Sequence, residues 1–178
     1  MIISALNEFS KNETRVSLTP DVSKMIINLG IEVVLEKGAG LQSGYTDDDY
    51  SKFGVKIVNR NECLNSDICL CVKMPEINDL ENLRDKCVLI GVLNPYENSE
   101  DFKILIKKKI ISCCMELIPR ISRAQSMDVL SSQANLAGYK AVVESFANFE
   151  KAIPMMMTAA GTIPAAKVLV VGAGVAGL

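Results

Sequence analysis

Residues 19–36 of the chain read TPDVSKMIINLG and then IEVVLE. Thr19 is a favoured helix N-cap, Pro20 suits the first helical position, and Gly30 suits the position just past a helix end. Between them, apolar residues recur at the spacing of one helix face: Val22, Met25, Ile26 and Leu29. The β-branched run at 31–36 is typical of a strand. This stretch therefore predicts a helix that passes directly into a strand, which is the repeating unit of an α/β fold.

The same alternation continues toward the C-terminus. A glycine-rich loop at 38–44 leads to Thr46 and three aspartates, which predict a second N-cap and first helical turn, and Gly54 ends that helix. Short apolar runs follow at 55–58, 68–72, 87–93 and 110–114, with helices predicted near 75–83 and 100–107. Strands that are apolar on both faces are covered by helices on both sides. We therefore predict a Rossmann-like, doubly wound parallel sheet.

Composition narrows the classes of function. The chain has 178 residues, more than the ~150 of a usual domain, so one domain and a remainder are expected. With 19 basic and 21 acidic residues the net charge is −2, and no nucleic-acid partner is predicted. The chain contains 0 histidines, which excludes Ser-His-Asp, Cys-His and His-metal mechanisms. No metal site is predicted.

The cysteines and termini indicate the compartment. Six cysteines form no CxxC pair, so we expect reduced thiols, mostly in the core of a cytosolic protein. The N-terminus lacks the basic segment of a signal peptide. Residues 152–178 carry a single charge, Lys167, but prolines and glycines interrupt them, so we expect buried core and no membrane span.

A different pattern occupies the last third of the chain. From about Asp128 to Lys151 a helix is predicted that is apolar around more than half its circumference, so we expect it to be mostly buried and to bridge two domains. Residues 167–171 (KVLVV) then predict a strand. We expect an N-terminal α/β domain at 1–127, a connecting helix and linker at 128–164, and the truncated start of an NAD-binding Rossmann domain at 165–178.

The chain ends on a glycine-rich motif, Gly-x-Gly-x-x-Gly, directly after the predicted strand. In that position the first glycine permits a tight turn, the second lets backbone amides approach a pyrophosphate, and the third lets a helix pack closely. A glycine-rich turn without a ligand is the alternative. The acidic residue expected ~20 positions later for the ribose is missing from the sequence, which stops at Leu178. The predicted phosphate-binding residues are Gly172, Gly174, Val175, Ala176 and Gly177.

Four segments together resemble one family. RVSLTP at 15–20, EKGAG at 36–40, VKMP at 72–75 and RISRAQSMDVLS at 120–131 are similar to the alanine dehydrogenase and NAD(P) transhydrogenase α-subunit family. The last segment and residues 165–178 resemble the transhydrogenase branch. That resemblance implies a subunit that binds NAD(H) and exchanges hydride with NADP(H) on a partner domain. It also implies a homodimer, coupling to proton movement through membrane-spanning partner subunits, and a peripheral place on the cytoplasmic side of the inner membrane, or the matrix side in mitochondria.

The resemblance also assigns site residues. The loop holding the nicotinamide and its ribose corresponds to Arg120, Gln125, Ser126, Met127, Asp128 and Ser131, with catalytic roles for Gln125 and Asp128. Chemically, Gln125 can hydrogen-bond the ribose, and Arg120 can pair with Asp128 beside the carboxamide. The alternatives are a surface ion pair and a helix N-cap at Asp128 or Ser126.

The alanine dehydrogenase branch is the second hypothesis. There, the residues matching Arg15 and Lys73 would hold a substrate carboxylate, and a histidine would act as general acid and base. This chain has Asn94 at that position, and an amide cannot shuttle a proton. We therefore interpret Arg15 and Lys73 as structural or inter-domain contacts. A third hypothesis is a non-catalytic fragment that folds but binds no dinucleotide.

Overall fold

A computed structural model describes residues 1–8 and 12–178. Within it the chain forms two compact units, Met1–Ile118 and Pro119–Leu178. The division expected from the sequence, at residues 127 and 164, remains a prediction.

The first unit alternates strands and helices around one sheet. Its strands are β1 (Ile2–Ala5), β2 (Glu32–Glu36), β3 (Lys56–Val58), β4 (Ile68–Lys73), β5 (Val88–Val92) and β6 (Ile111–Cys114). Its helices are α1 (Pro20–Asn28), α2 (Asp47–Ser51), α3 (Arg60–Leu64), α4 (Ile77–Asn82) and α5 (Ser99–Lys107). The strands form a 6-stranded sheet in the order β3-β2-β1-β4-β5-β6, with parallel neighbours throughout. This is the strand order of a Rossmann fold, so the predicted doubly wound parallel sheet is confirmed.

The sheet is buried on both faces. One core cluster includes Leu80 from α4 and Leu105 from α5, and the other includes Tyr50 from α2. Val34 and Leu35 are neighbours on β2 but belong to different clusters. Since successive strand residues point to opposite faces, the two clusters lie on opposite sides of the sheet. Burial of both faces explains why the strand sequences are continuously apolar and do not alternate with polar residues.

The predicted helix ends are confirmed. The Thr19 side chain accepts a hydrogen bond from the Val22 amide, and Gly30 follows α1 with a left-handed φ of 77°. Thr46 and Asp49 form a reciprocal capping box at the start of α2. These ends could be predicted because a cap is local: side chain and backbone partner lie within three residues.

The sequence did not predict β1 and α3. β1 is four residues long, and Ser4 interrupts the apolar run in its sequence. The buried Ser4 hydroxyl donates to the Cys63 carbonyl over 2.9 Å. α3 has five residues, which is too short for a hydrophobic period to show. Short elements of this kind depend on contacts with elements that are adjacent in the fold, such as β2 and β4 on either side of β1.

The cysteines follow the sequence prediction for four of the six. Cys63, Cys69, Cys71 and Cys87 are buried, Cys114 is half-buried and Cys113 is exposed, and all six are free thiols. Burial raises the pKa of Cys63 and Cys69 to about 12. These two are therefore packing residues with little thiolate at neutral pH.

The second unit contains one long helix and a hairpin. Residues Ser122–Met127 form a short 3₁₀ helix, α6 spans Val129–Ala147, and β7 (Met156–Thr158) pairs antiparallel with β8 (Gly161–Ile163). The long helix was predicted, with a C-terminus four residues too far, and the hairpin was not. No described helix has both the length and the apolar character that a membrane span requires.

Two predictions for this unit are wrong. α6 has no buried residue, although its sequence is apolar on several sides. Residues 167–171 form no strand, and residues 152–178 are not core: Leu169 is 87% and Val171 92% exposed. The physical reason is that a strand needs a hydrogen-bonding neighbour and an apolar helix needs a covering surface. In the described part of this unit residues 167–171 pair with no strand, and α6 is left largely uncovered.

Candidate functional site

The glycine-rich turn lies in the second unit, and its three glycines have different surroundings. Gly172 adopts a φ of 112°, which a residue with a side chain rarely adopts. Apart from Gly174 itself and its two chain neighbours, no described atom lies within 4 Å of where a Cβ on Gly174 would stand. A Cβ on Gly177 would collide with the Gly172 carbonyl oxygen and lie 3.4 Å from Val170 Cγ1.

The role of these glycines in holding a pyrophosphate remains a prediction. Gly172 supplies a positive-φ backbone before the turn at 175–177, Gly174 has open space beside it, and Gly177 allows a close approach to the Gly172 carbonyl. Of the remaining two predicted residues, Val175 is 50% exposed, and Ala176 presents its carbonyl group to α6. The structure thus shows open space beside Gly174 and a close approach at Gly177, but not the strand that the sequence predicts before the motif.

The predicted nicotinamide loop lies at the start of α6. Asp128 is the N-cap: one carboxylate oxygen accepts from the Ser131 amide over 2.9 Å and the other from the Ser131 hydroxyl over 2.6 Å. These two bonds, with a smaller contribution from the charge of Arg120, hold the pKa of Asp128 below its usual value. Asp128 and Ser131 are thus brought together as a unit.

The expected ion pair between Arg120 and Asp128 is not formed. Both oxygens of Asp128 are already engaged by Ser131, and the Arg120 side chain is exposed. The N-cap alternative is therefore the role the structure shows for Asp128. Gln125, Ser126 and Met127 are also exposed, on the 3₁₀ helix that leads into the cap. These exposed side chains are accessible to a ligand.

The first unit contains a cleft of about 150 Å³ between the carboxyl ends of β1 and β4. These strands are the point where the strand order reverses, which is where open α/β sheets bind ligands. Asn7, Glu8, Arg60 and Lys73 supply its polar walls. The cleft is too small for a dinucleotide but large enough for a small organic acid.

Internal carboxylates hold the cations around this cleft. Arg15 donates to the buried Glu13 from Nε and Nη2, each over 2.7 Å, and Lys73 Nζ lies 3.3 Å from the same carboxylate. These bonds lower the pKa of Glu13 to about 2, and the side-chain hydrogen bond from Arg15 contributes most. The contacts favour the structural interpretation of Arg15 and Lys73.

Arg60 forms a second buried network beside the cleft. It donates to both carboxylate oxygens of Asp79 over 2.7 and 2.6 Å, to Glu36 over 2.7 Å, and to the Asn7 carbonyl over 3.0 Å. The guanidinium thus joins the ends of β1 and β2 to α4. Such a network fixes the positions of strand ends that no apolar contact could fix.

Glu8 and Asn94 complete the polar groups near the strand ends. Glu8 accepts from the amides of Val72 and Lys73 over 2.6 and 3.2 Å, and burial raises its pKa despite these bonds. Asn94 follows β5 with a left-handed φ of 46°, and its backbone N–H donates to the Glu116 carboxylate over 2.5 Å. Asn94 is exposed and offers no proton-transfer group.

Sequence reasoning missed Glu8, Glu13 and Arg60. Glu13 lies two positions before Arg15, the first residue of the RVSLTP motif, and this spacing was a usable signal for the pair. The partners of Arg60 are 19 and 24 residues away in sequence, so no local pattern indicates them. No group of three or more His, Cys, Asp or Glu side chains suited to a metal occurs in residues 1–8 and 12–178.

Two family descriptions match the chain. Residues 4–137 match "Alanine dehydrogenase/PNT, N-terminal domain", and residues 141–178 match "Alanine dehydrogenase/PNT, C-terminal domain". An NAD(P) transhydrogenase alpha-subunit protein of Rickettsia prowazekii is 46% identical over 184 residues, which cover 100% of this chain and 48% of that protein. The chain spans about half the length of the curated relatives it matches.

A solved transhydrogenase structure and an alanine dehydrogenase also match the chain. A crystal structure of transhydrogenase from Sinorhizobium meliloti matches with a TM-score of 0.95 and 44% identity, over 99% of this chain and 53% of that one. An alanine dehydrogenase from Staphylococcus saprophyticus is 26% identical over 99% of this chain and 48% of the relative. With its Rossmann sheet, its glycine turn and a family match over 4–137, the chain belongs to the alanine dehydrogenase/PNT family.

Proposed function

We propose that this chain is the NAD(H)-binding part of a proton-translocating NAD(P) transhydrogenase α subunit. The turn at 172–177 carries this proposal. Space beside the Gly174 backbone would let a pyrophosphate approach, and the missing side chain of Gly177 lets the chain pack closely on the Gly172 carbonyl. The choice of branch rests on identity: 46% to a transhydrogenase subunit against 26% to an alanine dehydrogenase. A bound NADH supplies a hydride, which a second nicotinamide, that of NADP⁺, accepts.

In that proposal the residues of this chain bind the dinucleotide and orient its nicotinamide. Backbone amides of the glycine turn hold the pyrophosphate. Gln125, exposed on the 3₁₀ helix, hydrogen-bonds the nicotinamide ribose. Asp128 and Ser131 fix the start of α6, so the loop that carries Gln125 enters the helix in one defined geometry. Arg120 contributes positive charge beside that loop.

Hydride transfer between two nicotinamides needs neither an acid nor a base. A chain with 0 histidines and an exposed Asn94 after β5 is suited to this reaction. Oxidation of an amino acid, by contrast, needs a group that takes up and releases protons near neutral pH. The second candidate, an alanine dehydrogenase, needs Arg15 and Lys73 to hold a substrate carboxylate, and both contact Glu13.

The partners follow from the same proposal. NADP(H) is held on a separate partner domain, and membrane-spanning subunits couple the exchange to proton movement. The subunit acts as a homodimer, peripheral to the cytoplasmic side of the inner membrane, or to the matrix side in mitochondria. The relatives named as alpha subunits of a transhydrogenase support the existence of partner subunits.

Rapid mixing with the NADP-binding partner tests the reaction. NADH and an NADP⁺ analogue with a distinct reduced-state absorbance are mixed with the protein, and exchange is followed at both wavelengths. Gln125→Asn shortens the side chain by one methylene and is expected to slow exchange ~10-fold through lost orientation. Gln42→Asn, at an exposed position in the first unit, is the matched control. Exchange that is unaffected by Gln125→Asn contradicts the proposed role.

Two further assays separate the alternatives. NADH oxidation that depends on pyruvate and ammonia identifies an alanine dehydrogenase, and none is expected here. Titration of this chain alone with NADH, monitored by nicotinamide fluorescence, tests the non-catalytic hypothesis. Saturable binding eliminates that hypothesis, and its absence would leave dinucleotide binding to a longer form of the protein.

A further inference from the structure

The glycine turn packs against one residue of α6. A Cβ built on Gly138 would collide with the carbonyl oxygen of Ala176, and would lie 2.9 Å from the Ala176 carbonyl carbon and 3.1 Å from its Cα. All three are backbone atoms. A side chain at 138 therefore cannot be accommodated by a change of rotamer, and the backbone of Ala176 would have to move.

Gly138 has no conformational reason to be glycine. It lies within α6, outside the set of residues with positive φ, and glycine within a helix costs ~1 kcal/mol relative to alanine. The close approach of Ala176 accounts for its presence. Gly174, four positions from Leu178 in the same turn, has open space around it and faces no such constraint.

Hydrogen bonds within the turn transmit a displacement of Ala176. The amides of Gly177 and Leu178 both donate to the Gly174 carbonyl, over 3.0 and 3.1 Å. On the other side, Gly177 packs on the Gly172 carbonyl. Ala176 lies between these tied residues, so a shift at 176 also displaces Gly174, the residue whose backbone has open space beside it.

We infer that Gly138 is a positioning residue: by lacking a side chain, it seats Ala176 against α6 and so sets the direction of the phosphate-binding amides. This inference rests on the proposed function of the turn. It adds a residue 34 positions before Gly172 that touches no nucleotide itself. Because α6 also begins at the Asp128 cap, one helix sets the geometry of both ligand-binding segments.

The test compares Gly138→Ala with Ala137→Val, which enlarges an exposed neighbour on the same helix. Amide NMR shifts of residues 172–178 report the turn without any ligand. Binding of ADP-ribose, which carries the pyrophosphate, is compared with that of reduced nicotinamide riboside, which lacks it. We expect Gly138→Ala to move the amide shifts and to weaken ADP-ribose at least ~10-fold, with the riboside unchanged.

The outcomes are distinct. Because alanine favours the helix, a loss of ADP-ribose binding cannot come from melting of α6, which circular dichroism checks. Unchanged amide shifts and unchanged ADP-ribose affinity in Gly138→Ala overturn the inference. If the parent chain binds neither ligand but the substitution still moves the shifts, the proposed function fails and the seating of the turn by Gly138 stands. Equal losses for both ligands indicate a general structural effect and overturn the positioning role.

Discussion

Arg15 donates two parallel hydrogen bonds to Glu13, from Nε and from Nη2, each 2.7 Å long. The Glu13 side chain is 5% exposed and the Arg15 side chain 46%, so a buried acid is neutralised by a base at the surface. Lys73 approaches the same carboxylate from the end of β4. Glu13 therefore joins the segment after β1 to β4, and it occupies both cations that could receive an external carboxylate.

Removal of that charge should destabilise the first unit. Glu13→Gln keeps the size of the side chain but loses the charge-assisted bonds, so we expect the free energy of unfolding to fall by ~2 kcal/mol. Urea unfolding at neutral pH measures this. Glu100→Gln is the control, since Glu100 is 79% exposed and its pair with Lys103 contributes little. Equal effects of the two substitutions would contradict the structural role of Glu13.

Stability should also depend on pH through Glu13. Its pKa is lowered from 4.5 to about 2 in the folded state, so the unfolded chain takes up the proton first as the pH falls. The stabilisation is complete above about pH 4.5 and is lost progressively toward pH 2. Urea titrations at several values between pH 6 and pH 2 should show a steeper decline for the parent protein than for Glu13→Gln. Parallel declines would be inconsistent with this account.

Arg60 should be the most sensitive charged residue of the first unit. Its side chain is 18% exposed, and those of Glu36 and Asp79 are 11% and 7% exposed. Arg60→Met leaves two buried carboxylates without a counter-charge, and we expect a loss of ~3 to 5 kcal/mol. Arg84→Met serves as control because Arg84 is 49% exposed. The combined variant Arg60→Met, Glu36→Gln, Asp79→Asn should recover part of the stability, and no recovery would argue against uncompensated charge as the cause.

Two lysines hold a left-handed backbone. Lys86 has a φ of 63° and Lys109 a φ of 55°, and each precedes a strand. Since this conformation costs a residue with a side chain ~1 kcal/mol, we expect Lys86→Gly and Lys109→Gly each to raise the melting temperature. Lys107→Gly, within α5, should lower it because glycine disfavours a helix. Differential scanning calorimetry measures all three, and a lower melting temperature for the first two would refute the interpretation.

The first unit shows how far sequence patterns can reach. The cap at Thr19, the glycine at 30 and the apolar runs act over a few residues, and they predicted the α/β class and the parallel sheet. The network of Arg60 was not predicted because its partners are brought together only by the complete fold. Charged residues carry no periodicity, so nothing local distinguishes a buried arginine from an exposed one.

The second unit shows the opposite case. Residues 167–171 have the composition of a strand but form none, because strand formation depends on a neighbour as much as on propensity. The N-cap role of Asp128, by contrast, is local and was weighed from the sequence. The contact of Gly138 with Ala176 joins residues 38 positions apart, and only the structure could reveal it.

The distribution of the thiols has a practical consequence. Four cysteines are buried, and β6 at the edge of the sheet exposes Cys113 to solvent. A maleimide fluorophore added to the native protein would therefore attach mainly at that edge strand. The unaltered chain thus provides a labelling site in the first unit, on a strand that carries none of the glycine-turn residues, without introducing or removing any cysteine.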